Sequence, residues 1–292
     1  MTVAEAAPTQ EFAPAKLNLF LHLRGRRADG YHLLESLAVF PRLGDVVSVE
    51  DGPGLSLTVG GPFGDMLPSD GDNLVLRAAE ALARAAGRPA RAALHLEKTL
   101  PVASGIGGGS ADAAACLRLL ARRWGCPVPP DAALALGADV PVCLSDQAQM
   151  MAGIGEMLTP GPALPPFWVV LVNPLVTVST GAVFQAVEQR DCPPGPPAPD
   201  SGFREFTALT EWLAQQRNDL EQAAIRCCPP VGDVLDALSQ APLARMSGSG
   251  GTCFSLWPTE AEALAAADGL RLARPGWWVA AAPVPERRLA AV

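Results

Sequence analysis

The chain has 292 residues, 49% of them hydrophobic, and a formal net charge of −8. This length and apolar content suit one large or two ordinary domains with real cores, and we expect two. The acidic balance argues against a general nucleic-acid binder, because such proteins hold the phosphate backbone with clustered Lys and Arg. An anionic ligand would have to be held by local hydrogen-bond donors.

The sequence also predicts the compartment and the state of the thiols. No apolar run approaches the roughly 18 residues that span a bilayer, and the first residues, MTVAE, lack the basic and apolar regions of a signal peptide. We therefore expect a cytoplasmic protein. The seven cysteines form no CxxC pair, so we expect inert thiols and neither structural zinc nor disulfides.

The first half of the chain predicts mixed strands and helices after a frayed tail at 1–10. Apolar runs predict strands at 12–23, 33–40, 46–50, 55–59 and 92–100, and helical periodicity predicts helices at 73–86, 110–124 and 131–136. Lys16 and Asn18 are two residues apart in the first of these strands, so they should share one face. Asp139 precedes an apolar run that predicts another strand, and a turn aspartate is commonly only a backbone cap.

Residues 100–115, LPVASGIGGGSADAAA, run from a predicted strand into a predicted helix. Glycine lets the backbone approach a ligand closely, and a helix start offers N–H donors and a positive dipole end to an anion. The stretch lacks the Gly-Lys-Ser/Thr of a P-loop, and Ser110 stands where the dinucleotide fingerprint has its third glycine. A phosphate-binding loop and a plain flexible turn both remain open.

The second half predicts strands at 168–172, 244–246, 253–257 and 277–281 and helices at 179–188, 203–216, 219–228, 231–238 and 259–268, which we interpret as an α+β sandwich. A second glycine cluster, MSGSGGT, occupies 246–252. The proline-rich stretch 192–199 cannot enter a helix or a sheet interior, so it predicts an extended and mobile surface loop. The pair Tyr31-His32 at a loop-to-strand junction suits packing as well as recognition.

Three separated elements together resemble the GHMP kinases in order and spacing: PAKLNL at 14–19, the Gly-Ser loop at 105–110 and the Gly-Ser-Gly-Gly loop at 248–251. Six short blocks, GYH at 30–32, NL at 73–74, GGGS at 107–110, GADVP at 137–141, GIGE at 153–156 and NDLE at 218–221, more narrowly resemble the branch that acts on 4-diphosphocytidyl-2-C-methyl-D-erythritol in the non-mevalonate route to isoprenoids. The resemblance covers about residues 14–254.

The resemblance implies a two-domain α+β GHMP kinase fold. Its N-terminal domain, 11–160, would be the ATP-binding domain of ribosomal protein S5 domain 2-like type. Its C-terminal domain, 161–292, would be a ferredoxin-like α/β sandwich that includes the proline-rich loop at 191–202.

The resemblance also implies transfer of a phosphoryl group from ATP, with Mg²⁺ whose ligands stay undetermined. Asp139 matches the family's catalytic aspartate and Lys16 its partner lysine. Ser110 and Asn73 suit helix N-caps equally well, and Ala111 stands where the family often has a second serine. The positions implied to bind ATP are Pro101, Val102, Ala103, Ser104, Gly105, Ile106, Gly107, Gly108, Gly109, Ser110, Ala111, Lys98 and Asn73.

The implied acceptor site consists of Asn18, Tyr31, His32 and Phe184, the last three around a cytosine. The implied partner is thus a small molecule, with no nucleic acid or membrane, and the implied assembly is a monomer or a weak homodimer. A homoserine or mevalonate kinase is an alternative, although neither substrate carries a base to stack. A nucleotide-binding module without turnover is another, although it would not need both Lys16 and Asp139.

Overall fold

The computed structural model describes residues 9–70 and 72–285, so most of the tail expected at 1–10 lies outside the described residues. The described chain divides into two compact units. Unit 1 takes the residues up to Ala15 together with Gly44–Val102 and Gly107–Ser145, and unit 2 takes Lys16–Leu43, Ala103–Ile106 and the residues from Asp146 onward. The units alternate along the chain, and the domain boundary expected at 160 stays a prediction.

The secondary structure contains strands and helices in both units. The strands are β1 (Gln10–Pro14), β2 (Leu17–Arg26), β3 (His32–Val39), β4 (Gly44–Glu50), β5 (Leu55–Gly60), β6 (Ala92–Glu97), β7 (Gln149–Gly153), β8 (Met157–Pro160), β9 (Phe167–Asn173), β10 (Leu243–Met246), β11 (Cys253–Trp257) and β12 (Trp278–Val284). The α-helices are α1 (Leu74–Ala85), α2 (Gly108–Trp124), α3 (Pro130–Leu136), α4 (Val140–Cys143), α5 (Thr180–Ala186), α6 (Phe206–Ala214), α7 (Glu221–Cys227), α8 (Pro230–Ala237) and α9 (Glu260–Ala273).

Unit 1 is a four-stranded sheet with helices packed on it. The strand order is β1-β4-β6-β5, and β5 pairs with β6 in parallel whereas the other neighbours are antiparallel. Helix α2 contacts β1, β4 and α1. Its buried face is rich in alanine, and such small side chains let a helix lie close to its neighbours. This packing fixes the helix whose first residues form the candidate phosphate site.

Unit 2 contains two four-stranded antiparallel sheets. One has the order β2-β3-β7-β8 and the other the order β10-β11-β9-β12. A buried apolar cluster in this unit is built from Leu23, Val172, Leu220, Val234 and their neighbours. Its members come from β2, β9, the start of α7 and α8, so one core joins elements that are far apart in sequence.

Two of the sequence predictions for local structure are wrong. The single strand expected at 12–23 is two strands that lie in different units, since Pro14 ends β1 and the backbone N–H of Lys16 donates to the carbonyl of Ile106 at 2.8 Å rather than to a ladder partner. The apolar run after Asp139 is the short helix α4, which has Pro141 in its first turn, where proline favours a helix start.

The proline-rich stretch is extended, as predicted, and several side chains hold it in unit 2. The indole N–H of Trp212 and the amide of Gln216 both donate to the carbonyl of Pro196, at 2.9 and 2.8 Å. Arg217 donates to the carbonyl of Pro193 at 2.7 Å. Carbonyl oxygens therefore provide the anchors for a segment whose prolines have no N–H to donate.

Candidate active site

The candidate phosphate site in unit 1 is the start of α2. This helix begins at Gly108, two residues before the start that the sequence predicts, and its cap is Gly107 with a φ of 66°. The left-handed conformation at the cap favours glycine, because side chains with a Cβ are strained there. Ser110 is thus the third residue of the helix, and its alternative role as the N-cap is wrong.

The segment 103–106, just before this helix, is bound into unit 2 by hydrogen bonds. The carbonyl of Ser104 accepts from the N–H of Thr252 at 2.9 Å, and the carbonyl of Gly105 accepts from the hydroxyl of Ser247 at 3.2 Å. Gly105 has a φ of 74°, and a Cβ on it would lie 2.2 Å from the carbonyl oxygen of Gly250. Only glycine fits at position 105, because the backbone of the second glycine loop, 246–252, packs directly against it.

Asn218 binds the backbone of the second glycine loop, a role that was not predicted from the sequence. Its amide donates to the carbonyls of Met246 and Gly248 at 2.8 and 2.9 Å, and its side-chain oxygen accepts from the N–H of Leu220 at 3.0 Å. The carboxylate of Glu221 accepts from the N–H of Met246 at 3.0 Å. The block NDLE at 218–221 was the available signal, and its polar residues serve the loop.

Lys98 lies buried in unit 1, between two carboxylates. Its ammonium donates to Oδ2 of Asp45 at 2.6 Å and to Oδ2 of Asp112 at 2.8 Å, and all three side chains are at most 2% exposed. Burial disfavours the charged form of Lys98, but the two carboxylates outweigh it and raise the pKa of the ammonium. The family resemblance implies that Lys98 binds ATP near its adenosine, and that contact stays a prediction.

Burial likewise raises the pKa of the Asp112 carboxyl, to about 8, although the ammonium of Lys98 favours its charged form. The charge of Asp45 adds to the rise. The second oxygen of Asp112, Oδ1, is buried and has no hydrogen-bond partner among the described residues. We call these three side chains, Asp45, Lys98 and Asp112, the buried charge cluster.

Asn73 is the N-cap of α1, as one of its two sequence interpretations predicts. Its side-chain oxygen accepts from the N–H of Val75 at 2.9 Å, and its amide donates to the carbonyl of Pro68 at 2.7 Å. These bonds satisfy a helix-start donor that would otherwise be unpaired. Any contact of Asn73 with ATP stays a prediction.

The predicted cytosine site lies in unit 2, where the structure brings together two of its three residues. The rings of His32 and Phe184 are stacked with centroids 4.9 Å apart and an interplanar angle of 26°. Tyr31 is 59% exposed and makes no ring contact with another aromatic residue in the part of the chain that the structure describes. The packing alternative therefore does not explain Tyr31.

His32 and Asn18 each keep one unused polar atom in this unit. Nε2 of His32 and Oδ1 of Asn18 are buried, and neither has a hydrogen-bond partner within 9–70 and 72–285. Burial, together with Arg26 and Arg190, lowers the pKa of His32, which keeps the imidazole neutral. Buried polar atoms are normally paired in folded proteins, so unused ones suit a polar ligand.

Lys16 and Asp139, the predicted catalytic pair, belong to different units. Lys16 is 4% exposed in unit 2 and lies just before β2, so it is outside the strand that contains Asn18, and a shared face stays a prediction. Asp139 is half-buried in unit 1 and precedes α4 without capping it through its side chain. Asp139 thus occupies the N-cap position of α4, but the interpretation that its side chain caps the helix is wrong.

Three further observations concern metal-binding groups, membrane-spanning helices and thiols. Within the described part, His, Cys, Asp and Glu side chains nowhere form a group of three that could hold a metal ion. None of the helices in that part has the length and apolar content needed to cross a membrane. All seven cysteines are free thiols; Cys227 is exposed, and burial raises the pKa of Cys116 to about 12.

Comparison with known proteins identifies the family. The model of the GHMP kinases N terminal domain matches residues 73–153, and the model of the GHMP kinases C terminal matches residues 202–274. A protein of Cereibacter sphaeroides (strain ATCC 17029 / ATH 2.4.9) named 4-diphosphocytidyl-2-C-methyl-D-erythritol kinase is 54% identical over 281 residues, which cover 94% of this chain and 98% of that protein. This chain belongs to the 4-diphosphocytidyl-2-C-methyl-D-erythritol kinase family.

Further members and structures agree with this family. The 4-diphosphocytidyl-2-C-methyl-D-erythritol kinase of Paracoccus denitrificans (strain Pd 1222) is 55% identical over 93% of this chain and 95% of its own. A crystal structure of 4-(cytidine 5'-diphospho)-2C-methyl-D-erythritol kinase is 36% identical with a TM-score of 0.75, covering 94% of this chain and 99% of that one. Homoserine kinase from Cytophaga hutchinsonii has a TM-score of 0.63 at 16% identity, covering 98% of this chain and 97% of that one, which shows a shared fold alone.

Family membership confirms several predictions at once. The chain has the two-domain α+β GHMP kinase fold, and it is an ATP-dependent small-molecule kinase. GHMP kinases use ATP as the phosphate donor, so the predicted nucleotide is confirmed, whereas the binding of its phosphates by the glycine loop stays a prediction.

Proposed function

We propose that this kinase transfers the γ-phosphoryl group of ATP to the 2-hydroxyl of 4-diphosphocytidyl-2-C-methyl-D-erythritol, with Asp139 as the general base and Lys16 as its charge-stabilising partner. The observation that carries the choice of substrate is 54% identity over nearly the whole chain to a protein of that name. Solved structures with 11–16% identity to this chain share only its fold, and their names refer to other enzymes.

The start of α2 supports the nucleotide half of the proposal. Phosphoryl transfer requires mainly positioning and neutralisation of charge, and a helix N-terminus supplies N–H donors and a positive dipole end. Helix α2 has 17 residues and begins at a glycine cap, so backbone can approach a phosphate closely. The hydroxyl of Ser110, in the first turn, is available to contact a phosphate oxygen because it is not the cap.

The His32–Phe184 stack supports the acceptor half. A neutral imidazole with an unused buried nitrogen can hydrogen-bond the polar edge of a cytosine, and Tyr31 and Phe184 offer aromatic faces to the base. This arrangement recognises a nucleotide without a basic groove, which is consistent with a chain of net charge −8. A homoserine or mevalonate kinase would have no use for it.

The proposed chemistry needs one base and one cation. Asp139 accepts the proton of the acceptor hydroxyl, the hydroxyl oxygen bonds to the γ-phosphorus, and the bond between that phosphorus and the departing ADP oxygen breaks. The ammonium of Lys16 favours the ionised form of a nearby carboxylate and lowers the pKa of a nearby hydroxyl. Asp139 is half-buried and stands just before α4 in unit 1.

Mg²⁺ fits this chain as an ion that arrives with the nucleotide. Mg²⁺ usually keeps several waters and is held by substrate phosphates plus one or two protein oxygens, so it requires no dedicated cluster of carboxylates. The described residues contain no group of three potential ligands, which agrees with that mode. When bound, the ion would neutralise phosphate charge while the residues above position the reactants.

Substrate choice can be tested with a coupled ADP-release assay that compares the cytidyl compound, homoserine and mevalonate side by side. We expect turnover with the cytidyl compound alone. ADP release with either small alcohol and none with the cytidyl compound would overturn the proposed substrate.

The role of Asp139 can be tested by Asp139→Asn. Loss of a general base typically lowers the rate by roughly 10²–10⁴-fold, whereas ATP binding should stay close to that of the wild type. The matched control is Asp131→Asn, which changes an exposed carboxylate on α3 of the same unit. Near-normal turnover in Asp139→Asn would remove this residue from the mechanism.

A further inference from the structure

The buried charge cluster lies directly beneath the candidate phosphate helix. An ideal Cβ placed on Gly108, the first residue of α2, would lie 3.0 Å from Nζ of Lys98 and 3.9 Å from Oδ2 of Asp45. The ammonium therefore lies close to the residue at which the helix starts. A side chain at this position would crowd the ammonium, so glycine gives Lys98 its closest approach to the helix start.

Asp45 ties the same cluster to the chain that leads into the glycine loop. Its other oxygen, Oδ1, accepts from the backbone N–H groups of Thr99 and Leu100 at 2.6 and 2.9 Å. The hydroxyl of Thr99 donates in turn to the carbonyl of Gly44 at 2.7 Å. One carboxylate thus fixes β4, the end of β6 and the ammonium of Lys98 together.

Asp112 closes the cluster from the helix itself, one turn after Gly108. Its Oδ2 accepts from Lys98, so the lysine bridges the sheet and the first turns of α2. Breaking a buried ion pair by removing one partner is strongly destabilising, because it leaves an uncompensated charge. Three mutually dependent polar side chains therefore hold the helix start in one position.

We propose that Lys98, held by Asp45 and Asp112, is a positioning residue for the ATP phosphates, acting through the start of α2 rather than by contact with the adenosine. This inference rests on the proposed function for its ligand, a nucleoside triphosphate. The ammonium adds positive charge behind the N–H groups that would face the phosphates, and it fixes their direction. Both effects strengthen anion binding at a helix N-terminus.

The charge balance of the cluster agrees with this role. One ammonium and two ionised carboxylates would give the cluster a net negative charge next to a site for phosphates. The raised pKa of Asp112 favours the protonated form of this carboxyl, which reduces the negative charge of the cluster. Burial is the main cause of this rise in pKa; Lys98, just after β6, opposes it, and Asp45, from β4, adds to it.

The experiment measures binding to the full chain of Lys98→Met, with three probes: ATP, inorganic tripolyphosphate and adenosine. We expect the dissociation constants of ATP and tripolyphosphate to rise together, by about tenfold or more, and that of adenosine to stay unchanged. Weakened adenosine binding would overturn the inference in favour of direct contact with adenosine. ATP binding within about twofold of the wild type would overturn it as well.

Asp112→Asn provides a second test if Lys98→Met does not fold, because it keeps the shape and the acceptor for Lys98. The wild type and the variant should bind ATP equally near pH 6.5, and the wild type should bind it several-fold more weakly than the variant near pH 9. If the ratio of the wild-type to the variant dissociation constant for ATP is the same at both pH values, the role of the cluster is refuted. Binding of the cytidyl acceptor to the same samples is the control, and failure of that binding alone would refute the proposed function instead.

Discussion

Replacing Asp112 by Asn should change how the stability of unit 1 depends on pH. The folded protein holds a proton on this carboxyl up to a pKa of about 8, whereas the model value for an unfolded aspartate is 3.8. Between these values the folded chain binds more protons than the unfolded chain, so raising the pH destabilises the folded state. Asn carries no such proton, and the variant should lose this dependence.

The size of the effect follows from one proton. A full difference of one bound proton changes the free energy of unfolding by about 1.4 kcal/mol per pH unit. This slope fades as the pH approaches the folded pKa, so the change from about pH 6 to about pH 8 is roughly 2 kcal/mol. A change of this size in the free energy of unfolding alters the equilibrium constant for opening roughly 30-fold.

Amide hydrogen exchange in α2 measures this opening locally, within the unit that contains Asp112. The ratio of wild-type to variant exchange rates at the same pH cancels the intrinsic pH dependence, and it should grow about 30-fold over that pH range. Asp65→Asn, which alters an exposed carboxylate of unit 1, should leave the ratio constant. A constant ratio for Asp112→Asn would show that its carboxyl is already ionised in the folded protein.

Three further substitutions test unit 2. Phe184→Ala should raise KM for the cytidyl acceptor roughly tenfold or more, because stacking on a base is worth about 1–3 kcal/mol, with KM for ATP unchanged; an unchanged acceptor KM would refute the stacking role. Gly105→Ala should lower Tm by several degrees, about the effect of 1 kcal/mol or more, because its methyl group would lie 2.2 Å from a carbonyl oxygen. The control Gly276→Ala should leave Tm unchanged, because a methyl group there would meet no atom within 4 Å. Trp212→Phe removes an N–H donor worth about 1 kcal/mol, so limited proteolysis at 192–199 should accelerate, and equal cleavage would argue against anchoring by the indole.

Elements with strong periodicity and clear end signals were predictable from the sequence. The strand at 253–257 has the predicted bounds, and α1 begins after the predicted cap Asn73. The helix after the glycine loop ends at Trp124 with Gly125 just beyond it, as the C-terminal glycine signal indicates. Local rules determine these features, so a single sequence suffices.

Features that depend on distant partners were not predictable in the same way. A continuous apolar run at 12–23 gave no sign that its two halves join different sheets, since each half satisfies the strand pattern by itself. The apolar residues at 140–143 suit a strand or a helix equally well at that length. Long-range pairing decides the first case, and the proline in the first turn decides the second.

The candidate site shows the same division. The glycine loop, Asp139 and His32 were recognisable from short motifs, because their chemistry depends on residue types in local order. Asp45 was not, because its role depends on pairing with the ammonium of Lys98, 53 positions away. Lys98 was assigned to the adenosine because a sequence does not reveal that two carboxylates already surround its ammonium.

The alternation of the two units along the chain has a consequence for synthesis. When residue 145 has left the ribosome, all of unit 1 is present, whereas unit 2 still lacks everything from Asp146 onward. Strands β2 and β3 are made early, but β7, the partner of β3, begins only at Gln149. The nascent chain therefore carries an apolar hairpin with an unpaired edge for more than a hundred residues of elongation, and unpaired strand edges favour aggregation.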